Sequence, residues 1–215
     1  VDALSARAAA IAEIQRIIDL GVQTRMNCRI GTDVTLEQIQ REFDAVFLGL
    51  GAQAGRPLPV EGSDAPNCVT ATAFLKAFND GRMQHVGKRV VVVGGGDTSI
   101  DVATVARRLG HIDQIHESDR PENAIAGFAA HDAALLSRRQ GAEVTLTSIF
   151  QIDKMQASKH EVEHALGEGI AIRGGMAPVA VIRDASGRAT ALRVVRCEAK
   201  IVGGKLDVKT IAGTE

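Results

Sequence analysis

Apolar residues recur along this chain with two spacings, and each spacing predicts a different kind of element. A spacing of three and four residues predicts helices over 3–20, 35–42, 72–79, 100–109, 129–139 and 159–166. Short apolar or alternating runs predict strands over 22–30, 44–52, 89–93, 144–150, 178–183 and 189–197, with 205–211 as a candidate third strand of the last group. Strands that alternate with helices are typical of a parallel sheet, whereas consecutive strands are typical of an antiparallel one. The pattern therefore predicts an α/β fold with a parallel sheet and an antiparallel β appendage.

The segment 55–66 interrupts this pattern. It holds three prolines and two glycines, a composition that breaks helices and strands and marks turns. We interpret it as an ordered linker and a candidate domain boundary. The chain is therefore divided into a segment of residues 1–52 and a domain of residues 53–215.

Composition and charge exclude several classes of function. The formal net charge is −1, and the chain has neither Trp nor Tyr, so neither a basic surface nor an aromatic stacking surface for nucleic acid is expected. No apolar run reaches membrane-spanning length, and the first residues lack the pattern of a signal peptide. Cys28, Cys68 and Cys197 lie far apart without a CxxC pair, so we expect reduced thiols and no metal or cluster site in this chain. These features predict a cytoplasmic protein, and the helical pattern at the first residues suggests an excised fragment.

The strongest chemical signal is the glycine-rich segment that follows the valine-rich strand. Its spacing is Gly94-x-Gly96-x-x-Ser99, between a predicted strand and a predicted helix. The first glycine permits a sharp turn, the second lets a pyrophosphate approach the backbone, and a small third residue lets helix and strand pack closely. The helix N-terminus then offers N–H groups to the phosphates, and Thr98 and Ser99 add hydroxyl donors. The strand–glycine–helix context predicts a dinucleotide site.

Other polar residues near this segment have two interpretations each. Asp97 is interpreted first as a cap of its own helix, with contact to a ribose or nicotinamide group as the alternative. The pairs Arg107-Arg108 and Arg138-Arg139 end predicted helices, where cations suit the helix dipole, and a contact to a 2′-phosphate is the alternative. The histidines at 111, 116 and 131 match no metal-ligand spacing and are interpreted as core or surface residues.

Several segments in order resemble the glutamate synthase small-subunit (β-subunit) family. The segment 87–101 is similar to its nicotinamide-binding segment, and 42–52 to the strand that returns from its FAD domain. The segment 56–62 is similar to its crossover linker, and 177–179 with 187–196 to its later β-rich part. The resemblance covers nearly the whole chain.

This resemblance implies a flavoprotein in which hydride passes between NAD(P)H and FAD, and in which iron–sulfur clusters outside this chain carry electrons onward. Residues 1–52 would be part of an FAD domain, and 53–215 the NAD(P)-binding domain. The implied partners are other segments or subunits of a flavoprotein complex, such as the glutamate synthase large subunit. No FAD-binding glycine fingerprint precedes residue 52, so we expect no bound flavin in this chain alone. The residues assigned to the nucleotide are Gly94, Gly95, Gly96, Asp97, Thr98, Ser99, Ser148 and Ile149.

Two departures from the family pattern bear on the site. An insert near 111–139, predicted to be a helical excursion on the surface, separates the first helix from the second strand. Ser148, Ile149 and Phe150 stand where the family typically has a tyrosine and two arginines that suit an NADP 2′-phosphate. We therefore favour NAD(H) slightly over NADP(H). A sequence with these departures would fit a divergent, sulfite-reductase-associated branch of the family.

Two other functions compete with an oxidoreductase part. The first is a degenerate nucleotide-binding module that serves mainly to dock a subunit through the insert. The second is an S-adenosylmethionine-dependent methyltransferase, which also places a glycine loop after a strand. The crossover linker and the β-rich end of the chain argue against the methyltransferase.

Overall fold

The computed structural model describes residues 3–52, 54–112, 116–127 and 141–215. The chain separates into two compact units, Val1–Gly51 and Ala52–Glu215. No helix in the described ranges is both long and apolar enough to cross a membrane.

The first unit contains two helices, and both were expected from the apolar spacing. Helix α1 spans Ala3–Asp19 and helix α2 spans Leu36–Glu42. A capping box starts α2, because the Thr35 hydroxyl accepts from the backbone N–H of Gln38 while the Gln38 side chain accepts from the backbone N–H of Thr35.

The strands predicted over 22–30 and 44–52 are wrong. Residues 22–30 contain only an isolated bridge between Ile30 and Val34, and 45–50 form no ladder with any described strand. A strand is stable only when a neighbouring strand takes its backbone hydrogen bonds. Without such a neighbour the apolar side chains also stay exposed, and Phe47 is 94% exposed.

The second unit carries the remaining elements in alternating order. They are α3 (Ala71–Asn79), β1 (Arg89–Val93), α4 (Asp97–Leu109), α5 (Pro121–Ala126), β2 (Glu143–Thr147), α6 (Lys159–Gly167), β3 (Ala171–Arg173), β4 (Met176–Arg183), β5 (Ala189–Val202) and β6 (Lys205–Thr210). Short 3₁₀ turns lie at Glu117–Asp119 and Ile152–Lys154.

These strands form two sheets, as the sequence predicted. Strands β1, β2 and β3 are parallel in that order, with Val91 opposite Thr145 and Thr147 opposite Arg173. Strands β4, β5 and β6 are antiparallel in that order, with an irregularity after Pro178. The candidate strand at 205–211 is therefore present as β6. Strand β3 was not predicted.

The core of this unit lies between the parallel sheet and α4. Val144 and Leu146 of β2 are buried, whereas the intervening Thr145 is only half-buried, as a strand with one covered face requires. Ile100 of α4 is buried as well, and α6 packs beside α4. Leu146 is fully buried, so replacing it with alanine should cost about 2–5 kcal/mol of stability.

The described part of the 111–139 insert is partly helical and packs on its own unit. Helix α5 lies next to α3, and the Arg82 guanidinium donates to the backbone oxygen of Ala124. Glu122 forms an ion pair with Arg188 in the turn before β5. The predicted helix over 129–139, with Arg138, Arg139 and His131, lies outside the described residues.

Candidate nucleotide-binding site

The glycine loop joins the carboxyl end of β1 to the N-terminus of α4. Gly94 has φ +152°, and its N–H donates to the backbone oxygen of Thr147 over 2.9 Å, which extends the pairing of β1 and β2. A Cβ atom at Gly94 would stand 2.0 Å from Oγ of Ser99. The turn therefore excludes a side chain at this position, because the backbone conformation and the space both require glycine.

Gly96 is the N-cap of α4, and the space beside it is empty. Its φ of −101° is ordinary for any residue, and a Cβ atom there would meet nothing within 4 Å. No side chain caps the helix, and the first N–H groups of a helix have no partner within it. The N–H of Ser99 already donates to the backbone oxygen of Gly96 over 2.9 Å, so the open donors are the N–H groups of Asp97 and Thr98. Uncapped donors beside open space form an anion-binding position, because the helix dipole adds positive potential there.

Asp97 does not cap its own helix, so the first interpretation of this residue is wrong. Its Oδ1 accepts from the backbone N–H of Ser158 over 3.1 Å, and Ser158 in turn caps α6 through its hydroxyl. Asp97 thus connects the N-termini of α4 and α6. It also keeps a negative charge near the loop. Burial first, and then Glu161 and Asp97, raise the pKa of the Asp101 carboxyl one turn along α4.

The segment after β2 packs against the glycine loop. The backbone N–H of Ala157 donates to the oxygen of Gly95 over 2.9 Å, and Met155 is buried nearby. A Cβ atom at Gly95 would stand 2.5 Å from Oγ of Ser148. Gly95 therefore serves close packing, whereas Gly96 faces open space.

Ser148 and Ile149 occupy the carboxyl end of β2, where the sequence predicted a nucleotide contact. Ser148 is buried, and its hydroxyl accepts from the backbone N–H of Phe150 over 3.1 Å. Ile149 is half-buried against a small cluster that includes Val195 and Cys197 of β5. The backbone oxygen of Ser148 also accepts from the N–H of Met176 in β4 over 2.9 Å, so both residues attach the antiparallel sheet to the end of β2. Their contact with a nucleotide stays a prediction.

Arg107 and Arg108 lie in the last turn of α4, which agrees with their first interpretation as cations at a helix end and argues against the alternative contact to a 2′-phosphate. Arg107 donates to the backbone oxygens of Ala142, over 2.7 Å, and of Glu168, over 3.0 Å. Arg108 donates to the Glu168 carboxylate over 3.1 and 2.5 Å. A helix of 13 residues places this end about 20 Å from the glycine loop. These cations therefore fix the end of α4 to the loops around it.

Arg173 is a basic residue near the loop that sequence reasoning missed. It ends β3, its Cα pairs with that of Thr147, and its backbone oxygen accepts from Ser148 over 3.0 Å. The residue is exposed, and its guanidinium forms no hydrogen bond or ion pair with the described parts of the chain. The available signal was a short apolar run over 170–172, directly before Arg173 and two glycines.

Metal ligands do not gather anywhere in the described ranges in groups of three or more. His111 is buried and lies at an isolated bridge with Val86, whereas His116 is exposed. Cys197 is buried, which raises the pKa of its thiol.

Comparison with known proteins identifies the family. The family model for pyridine nucleotide-disulphide oxidoreductases matches residues 10–201. This chain belongs to the pyridine nucleotide-disulphide oxidoreductase family. The parallel sheet, the glycine loop and the antiparallel appendage are those of its nucleotide-binding fold. Family membership favours the oxidoreductase over the methyltransferase.

Named relatives confirm the resemblance found in the sequence. The NADPH-Fe(3+) oxidoreductase subunit beta of Geobacter sulfurreducens is 33% identical over 187 residues, which cover 86% of this chain and 23% of the relative. The glutamate synthase [NADPH] small chain of Escherichia coli is 26% identical over 209 residues, covering 91% of this chain and 38% of the relative. The chain thus spans well under half the length of these relatives. Among solved structures, thioredoxin reductase of T. acidophilum matches 73% of this chain and 38% of its own, at 13% identity and a TM-score of 0.39.

Proposed function

We propose that this chain is the pyridine-nucleotide-binding part of an FAD-dependent oxidoreductase that passes hydride between NAD(P)H and FAD. The observation that carries the proposal is the uncapped N-terminus of α4 beside Gly96, where a Cβ atom would meet nothing within 4 Å. A pyrophosphate needs this combination of N–H donors, positive potential and open space. The residues proposed to hold the nucleotide are Gly94, Gly95, Gly96, Asp97, Thr98, Ser99, Ser148 and Ile149.

The role of these residues is to bind and to orient. When bound, the nicotinamide supplies the hydride, and that chemistry belongs to the cofactor. The backbone of Gly95 and Gly96 would hold the pyrophosphate, and the hydroxyls of Thr98 and Ser99 would add donors. The chain would contribute position and electrostatics, and we assign no general acid or base to it.

The first 52 residues are proposed to be part of an FAD domain. The exposed apolar side chains of Phe47 and Leu48, and of Ile11 and Ile14 on α1, support this assignment. Apolar surface of this extent usually packs against something. The rest of a flavin domain would supply that cover and the missing sheet neighbours. Residues 53–215 would then be the NAD(P)-binding domain, with the 111–139 insert on its surface.

We propose that electrons leave the flavin through iron–sulfur clusters that lie outside this chain. The names of two relatives, a subunit beta and a small chain, support a multi-subunit setting. The proposed partner is therefore a glutamate synthase large subunit or a similar redox subunit, in the cytoplasm.

The choice between NAD(H) and NADP(H) depends on charge at the end of β2. A 2′-phosphate normally binds to arginines there, and Ile149 and Phe150 offer none. We therefore retain a slight preference for NAD(H), although the relatives above are named for NADPH. Among the described residues, Arg173 is the basic residue that we propose could reverse this preference, because it ends the neighbouring strand.

The test is a titration of the chain with NADH and with NADPH, monitored by calorimetry at two salt concentrations. Saturable micromolar binding of either nucleotide supports the proposal. An absence of binding up to millimolar concentrations would instead support a degenerate module that docks a subunit. Tighter, salt-sensitive binding of NADPH would reverse the NAD(H) preference. If Arg173→Gln then abolishes the tighter binding of NADPH and the matched control Arg193→Gln on β5 does not, Arg173 is the residue responsible.

A further inference from the structure

Two histidines stand one turn apart on the exposed face of α6. His160 and His164 have ring centroids 6.4 Å apart, and the ring planes differ by 11°. Val162 and Ala165 on the opposite face are buried. The packed face therefore fixes the rotation of the helix and holds both imidazoles on the solvent side.

A carboxylate is positioned behind one of these rings. Nδ1 of His164 lies 3.4 Å from Oε1 of Glu168, and Glu168 is held in turn by two contacts from Arg108, at 3.1 and 2.5 Å. A carboxylate beside Nδ1 favours the tautomer with the proton on that nitrogen. The Nε2 lone pair of His164 is then directed away from Glu168 and is available to a ligand.

We propose that His160 and His164 form a two-imidazole binding site for a late first-row divalent cation such as Cu²⁺, Ni²⁺ or Zn²⁺. Imidazole is the protein ligand that suits these ions. Histidine χ2 is a soft torsion, so the exposed ring of His160 can turn a nitrogen towards the ion that His164 binds through Nε2. Water completes the coordination, since no third protein ligand joins the pair within the described part of the chain.

Charges around the pair suit a cation. Glu161 and Glu163 occupy neighbouring positions on α6, and Lys159 is the one lysine or arginine of the helix. Glu168 orients one ligand, and its own charge is paired with Arg108. The site uses none of the residues assigned to the nucleotide, so it stands or falls independently of the proposed oxidoreductase function.

The experiment is a titration of the whole chain with Cu²⁺, monitored by electron paramagnetic resonance, and with Ni²⁺ and Zn²⁺ by calorimetry. The chain has six histidines, so single variants are needed to locate the site. We expect one equivalent of tightly bound Cu²⁺ with nitrogen couplings from two imidazoles, and weaker binding of Ni²⁺ and Zn²⁺. His160→Asn and His164→Asn should each weaken binding at least tenfold, and the matched control His116→Asn should not change it.

A second variant tests the orienting carboxylate. Glu168→Gln should weaken metal binding by about tenfold, the lower end of the usual effect of a residue that orients a ligand. Circular dichroism of each variant checks that the fold is kept. Unchanged affinity in His160→Asn or in His164→Asn would overturn the proposal, and so would a Cu²⁺ spectrum with only one coupled imidazole nitrogen.

Discussion

Gly96 offers a way to separate nucleotide binding from folding. Its φ of −101° and ψ of 174° are those of an ordinary N-cap residue, and its missing side chain faces open space. Aspartate is among the best N-cap residues, because its carboxylate accepts from the first N–H groups of the helix. Gly96→Asp would therefore satisfy the same donors that we propose for the pyrophosphate, and would place a negative charge beside them.

The two expected effects have opposite signs. The new cap should stabilise the chain by a few tenths of a kcal/mol, about the difference measured between Gly and Asp at N-caps. Hydrogen bonds to charged groups contribute about 1.5–3 kcal/mol each. Loss of even one such bond to the pyrophosphate weakens binding by at least tenfold, since 1.4 kcal/mol is a factor of ten. Repulsion between the carboxylate and the phosphates adds to that loss.

Gly94→Ala provides the contrast. There the new Cβ would stand 2.0 Å from Oγ of Ser99, in a backbone conformation with φ +152°. Strain of this kind costs about 1–3 kcal/mol. Gly94→Ala should therefore lower stability and binding together, and adding Ser99→Ala should restore part of the stability.

Stability would be followed by far-UV circular dichroism during urea unfolding, because the chain has no Trp or Tyr to report by fluorescence. Binding would be followed through the fluorescence of NADH. If Gly96→Asp binds NADH as tightly as the native chain does, the pyrophosphate does not bind at this helix N-terminus. If the variant loses more than about 1 kcal/mol of stability, the space beside Gly96 is not open, since surface changes away from special contacts stay near 0.5 kcal/mol.

Three further predictions concern charged side chains, two at the candidate site and one at the far end of α4. Asp97→Asn keeps an acceptor for the N-terminus of α6 but removes a negative charge beside the proposed phosphate position. NADH should therefore bind more tightly at low salt, with the stability of the chain unchanged, and weaker binding in the titration would contradict this. Ile149→Arg with Phe150→Arg restores a basic pair, so the ratio of NADPH to NADH affinity should rise about tenfold or more, and an unchanged ratio would refute the assigned pocket. Arg108 lowers the pKa of Glu168, so this carboxylate stabilises the fold above the ordinary glutamate pKa and loses that effect as the pH falls through its lowered value. Glu168→Gln should therefore cost up to about 1 kcal/mol at pH 7 in urea unfolding, and this cost should shrink as the pH falls below the ordinary glutamate pKa. A cost that does not change with pH would exclude the ion pair as its source.

Elements with strong local signals were predictable from the sequence. The four valines of β1 favour the extended conformation by themselves, and the glycine spacing that follows specifies a turn into a helix. The candidate site was found for the same reason, since a glycine loop and a helix N-terminus are contiguous in the chain. Strand β3 gave a weak signal, because three residues are too few to establish a period.

Roles that depend on distant residues were not predictable. Asp97 was interpreted as a local cap, yet its partner is Ser158, 61 positions away. Arg107 and Arg108 were interpreted first as cations at a helix end, and only their bonds to residues 142 and 168 argue against the alternative contact to a phosphate. Arg173 drew no attention, because only the pairing of β2 with β3 brings it to the edge where the glycine loop lies.

By itself the sequence determined the period of the longer elements, the glycine turn and the chemistry available at it, because these are properties of neighbouring residues. The tertiary structure alone decided which strand predictions are realised and which charges lie near the loop. The segment 44–52 has the composition of a strand, but pairing requires backbone donors and acceptors from another segment, and no described segment supplies them. Pairing and electrostatics are interactions between residues far apart in sequence, so only the folded arrangement fixes them.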